Sequence, residues 1–144
     1  MNLSFIIPTL NEERTLLSNL IFLKRIRKYL NAELIVVDGG SHDSTVNIAK
    51  TLSCNVYITK PSRSKQFNLG AKHASGKYLV FLHADTTLDN DAINHLKNIN
   101  KNTQWGFFNI KIKSNNFKYK ILSALINTRS RLFNYATGDQ VMVV

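Results

Sequence analysis

The sequence predicts an α/β fold with a mostly parallel central sheet and helices on both faces. The first observation is that short apolar runs alternate with helical stretches over the first 90 residues. The second is that these runs lack polar alternation, which is typical of strands covered on both faces. The third is size, because 144 residues with 44% hydrophobic content suffice for one domain with a genuine core. We therefore expect a single domain over residues 1–144.

The strands and helices of the first 90 residues follow a regular order. The runs LSFIIP, ELIVVD, CNVYIT and YLVFL are rich in Val, Ile, Leu and Phe, and each is predicted as a strand. Helices are predicted between them at residues 13–29, after Asp43 and at residues 65–74. In the first helix Leu16 and Leu20 recur on one face, as an amphipathic helix requires. The predicted order is β-α-β-α-β-α-β.

The last third of the chain predicts a different arrangement. A fourth helix is expected after Asp91 up to Ile99, followed by a strand in WGFFNIKIK whose far end alternates between apolar and polar residues. Residues 117–133 place apolar side chains at helical spacing, with Lys and Arg around them. The chain ends in GDQVMVV, an apolar strand-like run with no polar tail, and we therefore expect it to be truncated.

Positive charge is concentrated in the same part of the chain. The net charge is +10, and from Ala92 onward eight Lys or Arg face one acid, Asp139, which gives +7 for this segment. Nucleic acid, phospholipid head groups or a diphosphate substrate could each be the anionic partner. No base-stacking motif or groove-reading helix is recognisable, so we expect no nucleic-acid partner. The cationic and apolar helix at 117–133 is consistent with peripheral contact with an anionic membrane.

No segment predicts membrane insertion or export. No apolar run approaches the roughly 20 residues that a membrane span needs, and MNLSFIIPTLNEE lacks the basic front and cleavage site of a signal peptide. We expect a cytoplasmic protein, with any membrane contact peripheral and at the inner face of the cell membrane. The one cysteine, Cys54, is interpreted as a small apolar strand residue without chemistry.

Polar residues follow the first two predicted strands, at the edge where parallel sheets bind ligands. In PTLNEE, Thr9 and Glu12 have the spacing of a capping box, and the backbone around Pro8 and Thr9 can also hold a base or phosphate. In DGGSHDST, turn and cap roles explain every residue except Asp38, which is placed to accept hydrogen bonds from a nucleobase or ribose hydroxyl. Both loops therefore have a structural and a binding interpretation.

A basic loop follows the third strand. In KPSRSKQFNLGA, Lys65 fits a solvated helix face. The planar guanidinium of Arg63 can bind a pyrimidine edge or a phosphate instead, and Gln66 and Asn68 add neutral hydrogen-bonding groups. This loop therefore favours an anionic or nucleotide ligand.

The fourth strand ends in HADT, so that an apolar run stops at two ionisable residues. Asp85 is explained if a divalent cation bridges it to a diphosphate, because Mg²⁺ takes one or two protein carboxylates and obtains its other oxygens from phosphate and water. His83 is either a second ligand, a phosphate donor or a packed turn residue. Asp85 therefore predicts a cation site at this strand end, and the binding hypothesis requires Asp38, Arg63 and Asp85 to lie at neighbouring strand ends.

FIIPTLNEE, ELIVVDGGSHDST, SRSKQFNLGA and YLVFLHADT, in this order, resemble the family 2 glycosyltransferases, and more narrowly a bacterial subgroup with His-Ala-Asp in place of Asp-x-Asp. RSR at 129–131 and GDQ at 138–140 extend the resemblance over nearly all of residues 3–144. It implies a GT-A fold with a Rossmann-like nucleotide-sugar-binding half at 1–90 and the start of an acceptor half at 91–144. It also implies inverting transfer of a sugar from a nucleotide-diphosphate donor such as a UDP-sugar to an acceptor hydroxyl or carboxylate. A lipidic acceptor such as a carotenoid acid is one implied possibility.

The resemblance further implies roles for individual residues. Asp85, with His83 as a candidate second ligand, would bind Mg²⁺ or Mn²⁺ at the diphosphate. The family's base usually comes from an acidic pair further along the chain, and no such pair follows Asp91. Asp139 is the one carboxylate there, and it is either a turn residue before the last strand, a residue that positions the acceptor or the catalytic base. A catalytically incomplete nucleotide-binding fragment stays an alternative. The implied nucleotide-binding set is Pro8, Thr9, Glu12, Asp38, Arg63, Asn68 and Ala84.

Overall fold

The computed structural model of the chain describes residues 2–99, 105–112, 116–133, 136 and 140–144. Six strands and five helices lie in these ranges. The strands are β1 (Leu3–Thr9), β2 (Ala32–Asp38), β3 (Asn55–Ile58), β4 (Tyr78–Phe81), β5 (Gly106–Phe107) and β6 (Met142–Val143). The helices are α1 (Glu13–Leu30), α2 (Thr45–Thr51), α3 (Arg63–His73), α4 (Asn90–Lys97) and α5 (Phe117–Phe133).

The six strands form one sheet in the order β3-β2-β1-β4-β6-β5. β1 pairs in parallel with β2 and β4, β2 pairs in parallel with β3, and β6 is antiparallel to β4 and β5. The pairing of β1 with β2 runs from Leu3 opposite Ala32 to Thr9 opposite Asp38, so both strands end at the same level. The predicted mostly parallel α/β sheet is confirmed, and it aligns the carboxyl ends of β1 to β4 along one edge.

Apolar side chains cover both faces of the sheet. Phe5 and Ile7 join the larger core cluster, to which α1, α2 and α4 contribute, whereas Ile6 joins a smaller cluster with residues of α3. The predicted apolar face of α1 is buried, since Leu16 and Leu20 are fully inaccessible to solvent. Burying one such side chain contributes about 1.5–3 kcal/mol. Hydrophobic packing therefore holds α1, and the prediction of helices on both faces is confirmed.

The loop after β2 supports the start of α1. The helix begins at Glu13, and the capping box predicted from Thr9 and Glu12 does not form. Instead the Thr45 hydroxyl accepts a hydrogen bond from the N–H of Glu12 at 2.8 Å, and the Asp43 carboxylate accepts one from the N–H of Glu13 at 3.2 Å. Hydroxyl and carboxylate groups from the neighbouring loop thus satisfy helix N–H groups that the helix itself cannot pair.

The chain after α4 has a shorter strand than predicted. WGFFNIKIK was expected to be one strand, but β5 spans only Gly106–Phe107. Further along, the Asn127 side chain accepts a hydrogen bond from the N–H of Ile110 at 2.8 Å and donates one to its carbonyl at 2.9 Å. The Ser123 hydroxyl accepts from the N–H of Ile112 at 3.2 Å. Side chains of α5 therefore bind this backbone in place of a neighbouring strand.

The predicted helix at 117–133 is confirmed as α5, and it turns its polar side toward the rest of the protein. Its buried residues are Ser123 and Ser130, and the Ser130 hydroxyl donates a hydrogen bond to the Gln140 side chain at 2.9 Å. Its large apolar residues are exposed, apart from Ile126, which is partly buried. Among the helices in the described ranges, none combines the length and apolar content that a membrane span requires.

Cys54 lies partly buried just before β3. Burial raises the pKa of its thiol to about 11, against opposing effects of the Arg27 and Lys24 charges. Because the thiolate is the reactive form of cysteine, the thiol is unreactive at neutral pH. This agrees with the prediction that Cys54 carries no chemistry.

Candidate active site

A cleft of about 500 Å³ opens at the carboxyl edge of the sheet. Its walls come from the end of β1, the first turn of α3, the loop after β4 and a short stretch after β5. Segments far apart in the sequence therefore meet at one place, as expected for the strand ends of a parallel sheet. The cleft gathers these predicted site residues: Pro8, Thr9, Glu12, Arg63, His83, Ala84 and Asp85.

Asp38 is fully buried at the end of β2, and its carboxylate is bound by its own surroundings. One oxygen accepts hydrogen bonds from the N–H groups of Gly40 and Ser41 at 2.8 and 2.7 Å, and the other accepts from the hydroxyls of Ser41 and Thr9. Gly40 makes this turn possible with a φ of 95°. Asp38 is not among the cleft-lining residues and does not join Asp85 there. Its binding to a nucleotide stays a prediction.

Gln66 fixes the ends of β1 and β2. Its side-chain amide donates hydrogen bonds to the carbonyls of Thr9 and Val37, both at 2.8 Å, and the residue is buried. The Thr9 carbonyl also accepts from the N–H of Gly39 at 2.8 Å. We expected Gln66 to offer a group to a ligand, but both hydrogens of its amide serve these strand ends. Its role is to hold the cleft wall around Thr9.

A buried asparagine on α1 holds the loop after β4. The Asn19 amide donates hydrogen bonds to the carbonyls of Ala84 at 3.0 Å and His83 at 3.3 Å. In the part of the chain that the structure describes, the oxygen of this amide is the one buried side-chain nitrogen or oxygen atom without a hydrogen-bond partner. Leaving such a buried polar group unpaired costs about 1–3 kcal/mol. The sequence analysis missed Asn19, although a polar residue within the leucine face of α1 is a recognisable signal. We interpret it as a positioning residue for the neighbouring Asp85.

Asp85 presents an exposed carboxylate to the cleft. One of its oxygens accepts a long hydrogen bond of 3.4 Å from Thr86. Beside it, the His83 ring packs edge-on against Phe67 with centroids 5.8 Å apart. Within the described ranges, no three His, Cys, Asp or Glu side chains are grouped to hold a metal. This donor set fits a cation such as Mg²⁺ that takes one or two protein ligands and completes its shell with phosphate and water.

Positive charge faces the cleft from the start of α3. Arg63 is the first residue of this helix, is exposed, and lines the cleft together with Pro61 and Ser62. The N-terminus of an 11-residue helix carries a partial positive charge that favours phosphate groups, and the guanidinium adds a full charge. Asn68, further along α3, is exposed and lies outside the cleft lining. Its predicted contact with a nucleotide stays a prediction.

One wall of the cleft comes from the second half of the chain. Ile110 lines the cleft, and its backbone is held by Asn127 of α5. The sequence analysis missed Ile110, because a single apolar residue carries no motif. The predicted catalytic residue Asp139 lies outside the described residues, and its role stays a prediction.

A smaller cleft of about 370 Å³ lies at the opposite edge of the sheet, near Arg27, Lys28 and the start of β2. Its carboxylate, Glu33, already accepts hydrogen bonds from the Ser4 hydroxyl at 2.6 Å and from the N–H and hydroxyl of Ser75 at 2.6 and 2.8 Å. None of the predicted site residues lines this cleft. The larger cleft is therefore the candidate active site.

Known proteins resemble this chain in sequence. Residues 4–136 match the family model described as Glycosyl transferase family 2. The 4,4'-diaponeurosporenoate glycosyltransferase of Staphylococcus haemolyticus is 33% identical over an alignment of 98 residues, and the match covers 62% of this chain and 26% of that protein. The matched segments cover 23% of a poly-beta-1,6-N-acetyl-D-glucosamine synthase of Staphylococcus aureus and 39% of an uncharacterized glycosyltransferase of Haemophilus influenzae. The chain thus spans well under half the length of the relatives it matches.

Solved structures resemble it as well. A fragment of Staphylococcus aureus TarS in complex with UDP has a TM-score of 0.52 and 29% identity, covering 59% of this chain and 28% of that one. Glucosyl-3-phosphoglycerate synthase of Mycobacterium tuberculosis, solved with Mn²⁺, UDP-glucose and phosphoglyceric acid, has a TM-score of 0.50 and 26% identity, covering 58% of this chain and 33% of that one. Because the family model matches most of its length, the chain belongs to glycosyl transferase family 2.

Proposed function

We propose that this chain binds a UDP-sugar and transfers the sugar, with inversion, to an acceptor. In this proposal residues 1–90 form the nucleotide-sugar-binding half and residues 91–144 begin the acceptor half. The observation that carries it is the cleft, in which Thr9, Arg63 and Asp85 from three separate segments line one space. The solved relatives with UDP or UDP-glucose support the donor class.

Each cleft residue has a role in the proposed reaction. The backbone around Thr9 holds the base, while Arg63 and the first turn of α3 bind the diphosphate and stabilise its charge as it leaves. Asp85, with His83 beside it, would hold the divalent cation, either Mg²⁺ or Mn²⁺. When bound, this cation neutralises charge on the diphosphate. Asn19 keeps the loop that carries Asp85 in place.

A carboxylate acceptor and a hydroxyl acceptor differ in whether they need a catalytic base. A hydroxyl acceptor needs a base to remove its proton. A carboxylic acid is already ionised at neutral pH, since its pKa lies near 4, so its attack requires no base. The name of the 4,4'-diaponeurosporenoate glycosyltransferase supports a lipidic acid of this kind. We therefore favour a lipid-borne carboxylate, such as a carotenoid acid, over a hydroxyl.

Such an acceptor would be met at a membrane. The proposal accordingly includes peripheral contact with the anionic inner face of the cell membrane. It also places the chain in the subgroup with His-Ala-Asp at residues 83–85.

Calorimetric titration of UDP with and without Mn²⁺ tests the donor site. We expect metal-dependent binding that Asp85→Asn weakens by about tenfold or more, because even groups outside the first ligand shell are worth about 10- to 100-fold in metal affinity. The control is Asp91→Asn, an exposed acid in the first turn of α4 that does not line the cleft. UDP binding that is equally strong with and without Mn²⁺, and that neither substitution weakens, would contradict the proposal.

The second candidate is a nucleotide-binding fragment without catalysis. It is favoured by the absence of an acidic pair after Asp91 in the sequence. Release of UDP from UDP-sugars in the presence of lipidic acids separates the two candidates. Metal-dependent UDP binding without any turnover on acid or hydroxyl acceptors would support the fragment.

A further inference from the structure

The outward side of α5 is an exposed apolar stripe. An α-helix turns about 100° per residue, which places Phe117, Ile121, Leu125 and Leu132 within an arc of roughly 80°. These side chains are 71%, 45%, 62% and 73% exposed. A contiguous exposed apolar patch on a folded surface is typical of an interaction site. Nothing in the described part of the chain covers this stripe.

Cations border the stripe on both sides. By the same geometry Lys118 and Arg129 lie along one edge, and Lys120 and Arg131 lie along the other. All four are exposed, and the helix contains no Asp or Glu. Long cationic side chains beside an apolar stripe can bury their stems while their charges reach phosphate groups. The stripe with its two cationic borders is called the α5 surface below.

The orientation of α5 follows from its polar contacts. Ser123, Asn127 and Ser130 lie on the side opposite the stripe, and each is hydrogen-bonded to the rest of the chain. A helix that packed into this protein by hydrophobic burial would have the reverse orientation. Specific polar contacts therefore hold the α5 surface outward.

We propose that the α5 surface docks on an anionic lipid bilayer, with the stripe at the level of the acyl-chain boundary and the four cations among the head groups. Charge complementarity selects this occupant, because a helix with four cations and no acid is attracted to anionic lipid. A second copy of the chain would oppose like charges across the contact. Nucleic acid would leave the apolar stripe exposed.

This docking would place the acceptor side of the cleft at the membrane. On the inner side of α5, the Asn127 side chain accepts a hydrogen bond from the N–H of Ile110 and donates one to its carbonyl, and Ile110 lines the cleft. A lipid-borne acid in the bilayer would thus approach the wall formed by Ile110. This step rests on the proposed function, whereas docking of the α5 surface does not depend on the donor site.

Vesicle co-sedimentation of the whole chain without nucleotide tests the docking. We expect binding to vesicles of equal parts phosphatidylcholine and phosphatidylglycerol, with little binding to pure phosphatidylcholine and a steep loss in high salt. The pair Arg129→Gln and Arg131→Gln should weaken binding by about tenfold or more. The pair Leu125→Ser and Leu132→Ser should weaken it by a similar factor, because the stripe then loses apolar area.

The matched control is the pair Lys24→Gln and Lys28→Gln, which removes the same charge from exposed positions on α1. It should leave vesicle binding within about twofold, and circular dichroism should show all variants folded. An equal loss in this control would mean that net charge alone drives binding, and would overturn the proposal. Two other results would also overturn the proposal. One is a dimer of the chain that Leu125→Ser and Leu132→Ser dissociate, and the other is oligonucleotide binding that depends on Arg129 and Arg131 when the chain does not bind vesicles. Because UDP is absent, failure of the donor site leaves this test unaffected.

Discussion

Two regions of the molecule are held together by different chemistry. Residues 2–97 bury apolar faces of helices against a parallel sheet, as α1 does with Leu16 and Leu20. The described part of residues 105–144 has two-residue strands and a helix attached through Ser123 and Asn127.

The difference separates the tasks of the two regions. Apolar packing in the first region aligns the strands, and the buried side chains of Gln66 and Asn19 then hold the strand ends and the loop that form the cleft. Because polar contacts attach α5, the second region gains little hydrophobic stabilisation from this helix. The apolar residues of α5 stay available for another partner. The first region thus forms most of the cleft, and the second region exposes the α5 surface.

The largest expected effect contrasts the same substitution in two helices. Leu20→Ala in α1 should lower the free energy of unfolding by about 2–5 kcal/mol, because it leaves a cavity in the core. Leu125→Ala in α5 should change it by no more than about 0.5 kcal/mol, because this side chain is exposed. Urea unfolding of both variants measures the contrast. A loss above about 2 kcal/mol for Leu125→Ala would show that the chain itself buries the stripe.

A second contrast uses two glycines. A methyl group on Gly76 would lie 2.6 Å from the carbonyl carbon of Leu3 and 2.7 Å from the backbone nitrogen of Ser4. Because β1 would have to shift, Gly76→Ala should destabilise the protein by about 2–3 kcal/mol. On Gly106 in β5 the methyl group would meet nothing within 4 Å, so Gly106→Ala should stay within about 0.5 kcal/mol. Thermal unfolding of the pair measures this, and equal losses would mean that the second region is as tightly packed as the first.

The same difference explains what could be predicted from the sequence. In the first region apolar runs and helix periodicity determine the packing, so the strands, the helices and the buried face of α1 were predicted close to their observed bounds. In the second region WGFFNIKIK has strand composition, yet Asn127 and Ser123 bind its backbone. Such long-range side-chain contacts leave no periodic signal.

The candidate site shows the same limit. Strand-end motifs predicted that Asp38, Arg63 and Asp85 would lie at neighbouring strand ends. Arg63 and Asp85 line the cleft, whereas Asp38 does not. The motif of Asp38 did not reveal that its own loop supplies its hydrogen bonds. Asn19 was missed because its partners, the carbonyls after β4, lie 64 and 65 positions away in the chain.

The smallest expected effect concerns acid sensitivity, which should reside in the first region. Among the described residues after 105 no side chain is a carboxylate, whereas Glu33 is buried in β2. Burial raises the pKa of Glu33, but hydrogen bonds from Ser4 and Ser75 outweigh it and lower that pKa below 4.5. A carboxyl group with a lowered pKa stabilises the fold above its unfolded pKa, and this stability is lost as the pH falls through the folded pKa.

Glu33→Gln should therefore cost about 1 kcal/mol at pH 7, because neutral hydrogen bonds replace stronger charge-assisted ones. The difference from the unsubstituted chain should shrink steadily from pH 5 to pH 3, since protonated Glu33 no longer has that advantage. Urea midpoints at pH 7, 5, 4 and 3 measure it, with the exposed Asp91→Asn as a control that should show no such trend. If the two proteins differ in stability by the same amount at all four pH values, the charge of Glu33 does not stabilise the first region. The size and position of its side chain would then be enough to hold Ser4 and Ser75 together.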